Sequence, residues 1–98
     1  MIKVGVIGLG TVAQLMHLPV LNNLFQKYEI TAVSDVSPSL VEFISKKYCA
    51  KPYESPFDLI NDKNVEAVFV LSPDQYHSVY VRAAILANKH VFVEKPAT

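Results

Sequence analysis

All three glycines of this chain fall within six residues, at Gly5, Gly8 and Gly10, where an apolar β-type stretch gives way to a helical pattern. The run Gly8-Leu9-Gly10-Thr11-Val12-Ala13 has the form G-x-G-x-x-A. In that form the first glycine permits a tight turn, the second lets the backbone approach a pyrophosphate, and a small third residue lets helix and strand pack closely. The backbone N–H groups of such a turn, with the dipole of the helix that follows, favour an anionic ligand. Gly8, Leu9, Gly10, Thr11 and Val12 are therefore the candidate phosphate-binding residues. The spacing also occurs in ordinary strand–helix turns, so its meaning depends on what surrounds it.

Strand-like and helical patterns alternate along the rest of the chain. A first strand over residues 2–7 leads into a helical stretch over 11–26, with Pro19 expected to kink or divide it. Residues 28–34 read as a second strand, ending at Asp35. Ser37-Pro38 has the form of an N-cap and first-turn proline. Leu40, Phe43, Ile44, Lys47 and Tyr48 follow at the spacing of a stripe facing a sheet. A short third strand is expected over 50–53, and Ser55-Pro56-Phe57-Asp58 begins another helix, with Asp58 placed for a capping-box-like contact. Residues 61–64 form a turn, and 66–71 read as a strand covered on both faces. The helix expected over 75–87 places Val79, Ala83, Leu86 and Ala87 on one face, with Asn88 as its left-handed terminator. Residues 90–93 form a fifth strand. This order predicts an α/β fold, a doubly wound parallel sheet of Rossmann type with strand order 3-2-1-4-5. The fifth strand would be left as an apolar edge. The expectation is one incomplete dinucleotide-binding domain over 1–98, truncated before a sixth strand and a second α+β domain that carries the substrate site.

Composition narrows the function. With 51% hydrophobic and 18% charged residues, the chain can build a core. Nine acidic and nine basic residues give zero net charge with no clustered run, which argues against nucleic acid and anionic membrane surfaces. The apolar runs are of strand length, too short to cross a membrane. The one cysteine, Cys49, excludes an internal disulfide and a cysteine metal cluster, and fits a reduced, cytoplasmic setting. It is expected to be a partly buried small residue just after a helix. His17, His77 and His90 show no metal-ligand spacing, so no metal site is predicted.

In such a sheet, ligands lie outside the carboxyl ends of the strands, where the strand order reverses. Asp35, 25 residues beyond Gly10, stands where an acid accepts hydrogen bonds from the adenosine ribose hydroxyls. No arginine follows it, which favours NAD over NADP. The alternative is a turn or helix-cap role. On the other side of the reversal, strands four and five end in Ser72-Pro73-Asp74 and Glu94-Lys95-Pro96. A charged pair directly after an apolar strand belongs at the mouth of the sheet. Lys95 is there a candidate to exchange a proton with a hydroxyl–carbonyl pair. Spacing alone leaves open an ordinary solvated Glu-Lys pair.

The runs from Gly5 to Ala13, from Ser72 to His77, and Lys89-His90-Val91-Phe92-Val93-Glu94-Lys95-Pro96 together resemble the Gfo/Idh/MocA oxidoreductases. The resemblance covers essentially the whole chain, and Asn88 stands where the family usually has glycine. It implies that Lys95 is the catalytic lysine. It also implies that Glu94, Pro73 and His77, with Ser72 beside them, line the nicotinamide-ribose end, and that the Lys95–Pro96 bond is cis. His17 matches a histidine common in the family, with structural packing the open alternative. The function so implied is hydride transfer between a nicotinamide cofactor and a secondary alcohol of a sugar or cyclitol-like substrate. It would be carried out by a parent enzyme that associates as a homo-oligomer through its second domain, the 98 residues alone being inactive. A non-catalytic NAD-responsive module is the competing reading, and a thiol-dependent aldehyde dehydrogenase is disfavoured by the position of Cys49.

Overall fold

The computed structural model describes residues 2–10, 28–71 and 74–93. Five strands form one parallel sheet: β1 (Ile2–Ile7), β2 (Tyr28–Ser34), β3 (Lys51–Tyr53), β4 (Ala67–Val70) and β5 (His90–Val93), in the order β3-β2-β1-β4-β5. The expected topology is the observed one. Three helices are described, α1 (Pro38–Tyr48), α2 (Pro56–Ile60) and α3 (Asp74–Leu86). The helix expected over 11–26 lies outside the described residues.

Two apolar clusters, one on each face of the sheet, hold these layers together. On one face Val4, Val6, Ile30, Val33 and Ala67 meet Val41 and Ile44 of α1, with Leu9 joining them. On the other, Ile7, Ala32, Val68 and Val70 meet Leu59 and Ile60 of α2 and Ala84 of α3. Alternate residues of β1 and β4 divide between the two clusters, as the period of a strand covered on both sides requires. Gly5 makes the second face possible. A Cβ on it would stand 2.5 Å from Leu59 Cδ2 and 3.2 Å from Val65 Cγ1. Leu59 is fully buried and has nowhere to swing.

β1 and β2 are not in simple register. Val4 lies opposite Ile30, but Gly5 lies opposite Ala32, so Thr31 is an extra residue in β2. Its hydroxyl donates to the Val4 carbonyl at 3.4 Å. This is a bulge in a parallel pair, where bulges are rare.

The capping signals act largely as the sequence predicts. Ser37 Oγ accepts the Leu40 N–H with Pro38 in the first turn, and Ser55 Oγ accepts the Phe57 N–H with Pro56 following. Asp58 adds a carboxylate to the positive end of α2 but does not make the capping-box-like contact expected of it. Asn88 takes a left-handed conformation, φ 61°, after α3. Cys49 does the same after α1, φ 56°, and is exposed rather than partly buried as expected. As the left-handed terminator it turns its side chain off the helix end.

Both amphipathic stripes are partly turned relative to expectation. Leu40, Ile44 and Tyr48 of α1 and Ala83 and Ala87 of α3 pack on the core as expected, whereas Phe43, Lys47, Val79 and Leu86 do not. In α1 the buried residues are Val41, Ile44 and Ser45, while Phe43 is 57% exposed. Neighbouring apolar pairs, Leu40-Val41 and Phe43-Ile44, leave the phase of the stripe undetermined from spacing. In α3 the sheet side is Tyr80, Val81, Ala83, Ala84 and Ala87, and Leu86 is 77% exposed. Small alanines allow the closer approach to the sheet, and Tyr80 meets Phe57 of α2 edge-on at 5.6 Å.

Candidate functional site

The reversal of strand order falls between β1 and β4, and the chain leaves β1 there through the glycine turn. Gly8 has φ 95°, a conformation that side chains rarely adopt, so the tight turn depends on this glycine. Its N–H donates to the Ser34 carbonyl at 2.9 Å. Leu71 N–H donates to the Ile7 carbonyl at 2.7 Å, holding the ends of β1 and β4 together. Leu9 is fully buried in the cluster beneath α1. Gly10 is exposed, and a Cβ built on it meets nothing within 4 Å. The turn is thus anchored at Gly8 and Leu9 and open at Gly10.

Asp35 sits beside it. The β2 strand ends at Ser34, and the half-buried Asp35 carboxylate accepts the Leu9 N–H on Oδ2 and the Ser37 N–H on Oδ1, the latter at 2.9 Å. An ionised carboxylate offers about four lone-pair sites, so two remain after these bonds. The two N–H dipoles offset its charge next to a turn suited to anions. Val36 follows with 93% of its surface exposed, and Ser37 caps α1. Ser34 Oγ is buried without a hydrogen-bond partner.

The structure thus brings Gly8, Leu9, Gly10 and Asp35 into one cluster. His77 lies in the first turn of α3. Thr11, Val12, Ser72, Pro73, Glu94 and Lys95 lie outside the described residues, as do His17 and the Lys95–Pro96 bond. Three features of the site escape the sequence reading. Gly5 serves packing, which a glycine inside a strand pattern could have signalled. The bonding of Asp35 to Leu9, and the bulge at Thr31 that aligns them, have no local signature. Among the described residues, no group of three or more His, Cys, Asp or Glu side chains could hold a metal ion, and no helix is long and apolar enough to cross a membrane.

A second polar cluster lies before β4 and β5, and Tyr53, the last residue of β3, reaches it with its side chain. The Tyr53 hydroxyl donates to Asp62 Oδ2, and the Asn64 N–H donates to Oδ1 at 2.8 Å. Lys89 Nζ donates to the Asp62 carbonyl at 2.8 Å and to the Val65 carbonyl. The Tyr53 bond, then the Asn64 bond, hold the Asp62 carboxyl below the usual carboxylate range. The same Asp62 bond pushes the Tyr53 phenol up.

Comparison with known proteins bears on both the fold and the site. Residues 2–98 match the sequence model of the Gfo/Idh/MocA oxidoreductase family, NAD-binding Rossmann fold. Inositol 2-dehydrogenase of Salmonella typhimurium is 38% identical over 97 residues, covering 97% of this chain and 29% of that protein. Apo scyllo-inositol dehydrogenase of Lactobacillus casei superposes with a TM-score of 0.90 at 30% identity, over 98% of this chain and 29% of its own. A 3-ketoreductase of Actinomadura kijaniata, in complex with NADP and TDP-benzene, superposes with a TM-score of 0.88 at 32% identity, over 97% of this chain and 29% of its own. The chain therefore spans under a third of the length of these relatives.

Proposed function

The chain belongs to the Gfo/Idh/MocA oxidoreductase family, with its NAD-binding Rossmann fold, and from that premise we propose that it is the cofactor-binding part of a dehydrogenase acting on a secondary alcohol of a sugar or cyclitol. The inositol substrates named for its relatives support that substrate class. The observation that carries the proposal is the pairing of an open Gly10 with Asp35 at the point where the strand order reverses. An empty space where a Cβ would be, beside a carboxylate with lone pairs left, fits a pyrophosphate followed by a ribose.

Each residue has a defined task in this reading. Gly8 shapes the turn, and Gly10 leaves room for the phosphates, with the N–H groups of Thr11 and Val12 as further donors. Asp35 accepts from the two adenosine ribose hydroxyls and repels a 2′-phosphate. No arginine follows it to offset that repulsion, so NAD is preferred to NADP. Ser72, Pro73, His77 and Glu94 line the nicotinamide-ribose end. When bound, the nicotinamide supplies the hydride chemistry that no side chain can. Lys95 takes the proton from the substrate hydroxyl during oxidation and returns it to the oxygen during reduction. The substrate-recognising residues, and the subunit contacts, belong to a second domain of the parent enzyme, which also covers the exposed apolar side chains of β5, Phe92 and Val93.

Lys95→Ala in the full-length parent tests the reading. Turnover is expected to fall by about 10²–10⁴-fold, the usual contribution of a positioned proton-transfer group, with NADH affinity retained. Unchanged turnover would refute the assignment of Lys95. Equal affinity for NADH and NADPH would refute the role given to Asp35.

A further inference from the structure

The Leu9 amide lies within the proposed phosphate turn, yet its hydrogen is directed to Asp35 and its side chain is buried beneath α1. Donors that meet a phosphate must point into open space, and in this turn the open position is Gly10. We infer that Asp35 is a positioning residue for the glycine turn, in addition to any contact with ribose, and that Leu9 serves the ligand only by anchoring that turn.

The geometry supports two linked functions in one carboxylate. Ser34 and Asp35 are consecutive at the end of β2, and between them they take the N–H groups of Gly8 and Leu9, also consecutive. The first bond uses a backbone carbonyl that any residue would provide. The second needs an acceptor side chain of aspartate length. Asp35 also ties its other oxygen to Ser37 N–H, at the cap of α1, so its own rotamer is fixed before any ligand arrives. A group held on both sides can hold a third, and the turn is thereby preorganised. Asparagine cannot replace it, because one side of a carboxamide is a donor and would face either the Leu9 or the Ser37 N–H.

This inference rests on the dinucleotide reading, and a ligand cycle separates the two. Affinities of the wild type, Asp35→Asn and Asp35→Ala are measured for NADH and for its analogue with a 2′,3′-dideoxy adenosine ribose. A carboxylate that only contacts ribose hydroxyls leaves the analogue binding all three proteins equally, and that result would overturn the inference. A positioning role makes both variants bind the analogue about tenfold more weakly than the wild type, which corresponds to about 1.4 kcal/mol. Loss of global stability alone does not change the affinity of the folded fraction, so a merely structural role does not reproduce this pattern.

The ligand-free wild type provides a readout that needs no variant. Its Leu9 amide proton is expected to resonate downfield and exchange slowly, as an N–H bonded to a carboxylate does. An ordinary shift with exchange as fast as that of Gly10 would overturn the inference even if neither variant folds. A wild type that shows the downfield Leu9 signal but binds no dinucleotide would refute the proposed function while leaving the tie between turn and carboxylate in place.

Discussion

The two ends of the sheet handle polar groups in opposite ways. At the amino ends of β4 and β5, Lys89, Asp62 and Asn64 bond one another or nearby carbonyls, and Tyr53 reaches Asp62 from the far end of β3. At the carboxyl ends of β1 and β2, Asp35 is held by two N–H groups but keeps lone pairs, and Gly10 faces open space. Both clusters contain a carboxylate at a turn. Each carboxylate accepts two hydrogen bonds, so what separates the clusters is the partner and the space beside it. Asp62 is bonded by the Tyr53 side chain, whereas Asp35 is bonded by backbone N–H groups alone, next to the open position at Gly10. A carboxylate beside empty space suits the proposed binding site, and one tied by a neighbouring side chain suits a structural tie.

That distinction predicts that the ends fail differently. The largest effect is expected from Asp35→Ala, which on the proposed reading combines a lost ribose acceptor with a loosened turn. NADH affinity should fall by about 100-fold, or about 2.7 kcal/mol, measured by titration of cofactor fluorescence. A fall of less than threefold would contradict the special status of this end. Lys89→Met comes next, because it leaves the Asp62 and Val65 carbonyls without their charged donor. A stability loss of about 2 kcal/mol is expected in urea unfolding, with NADH affinity unchanged. Weakened cofactor binding in the folded variant would break the separation between the ends.

Tyr53→Phe should cost about 1 kcal/mol at neutral pH, and its effect has a pH window. Asp62 has a depressed folded-state pKa, so its contribution is present above the unfolded carboxylate value and is lost as pH falls through the folded one. Tyr53 is shifted upward, so its contribution is complete below the unfolded phenol value and is lost as pH rises through the folded one. The stability difference between wild type and variant should therefore form a plateau at neutral pH and shrink toward both extremes. A flat difference from acid to alkali would discount the bond. Gly10→Ala should change stability least, by under about 0.5 kcal/mol, since the new Cβ meets nothing. It should still weaken NADH binding, by filling the space the phosphates need. A variant that is unstable, or that binds NADH normally, would show the opening at Gly10 to be something other than a ligand space.

Much of this arrangement is legible in the sequence, and the exceptions have a common cause. Strand order follows from the alternation of patterns, and the caps at Ser37 and Ser55 and the left-handed Asn88 follow from local chemistry. That Asp35 and the Gly8 turn lie together follows from strand order and from restrictive residue types and spacing. The faces of α1 and α3 are only partly read, because several apolar residues compete for the same side, and packing against the sheet chooses between them. Phe43 and Leu86 are left in solvent by that choice, and Ala84, chemically inconspicuous, is fully buried. The exposure of Cys49 escapes for a similar reason, since a non-glycine residue in the terminating position is not indicated by the residue itself. The tie between Leu9 and Asp35 depends on register, which no short window of sequence contains.

That register traces back to Thr31. Before the bulge, partners on β1 and β2 differ by 26 in number, as Val4 and Ile30 do; after it they differ by 27, as Ile7 and Ser34 do. An unbulged β2 would bring Ser34 level with Gly8, and every residue beyond position 30 would face the opposite side of the sheet. A neutral hydroxyl would then stand where the carboxylate now does. One supernumerary residue, four positions upstream, thus works as a phase shifter that decides which side chain arrives at the glycine turn. Deleting Thr31 should even out the pairing while leaving Ala32 opposite Gly5 and Asp35 level with Gly8, so a deletion variant that folds is expected to keep binding NADH. Loss of binding in a folded variant would show that the turn needs the bulge itself and not only the alignment it sets.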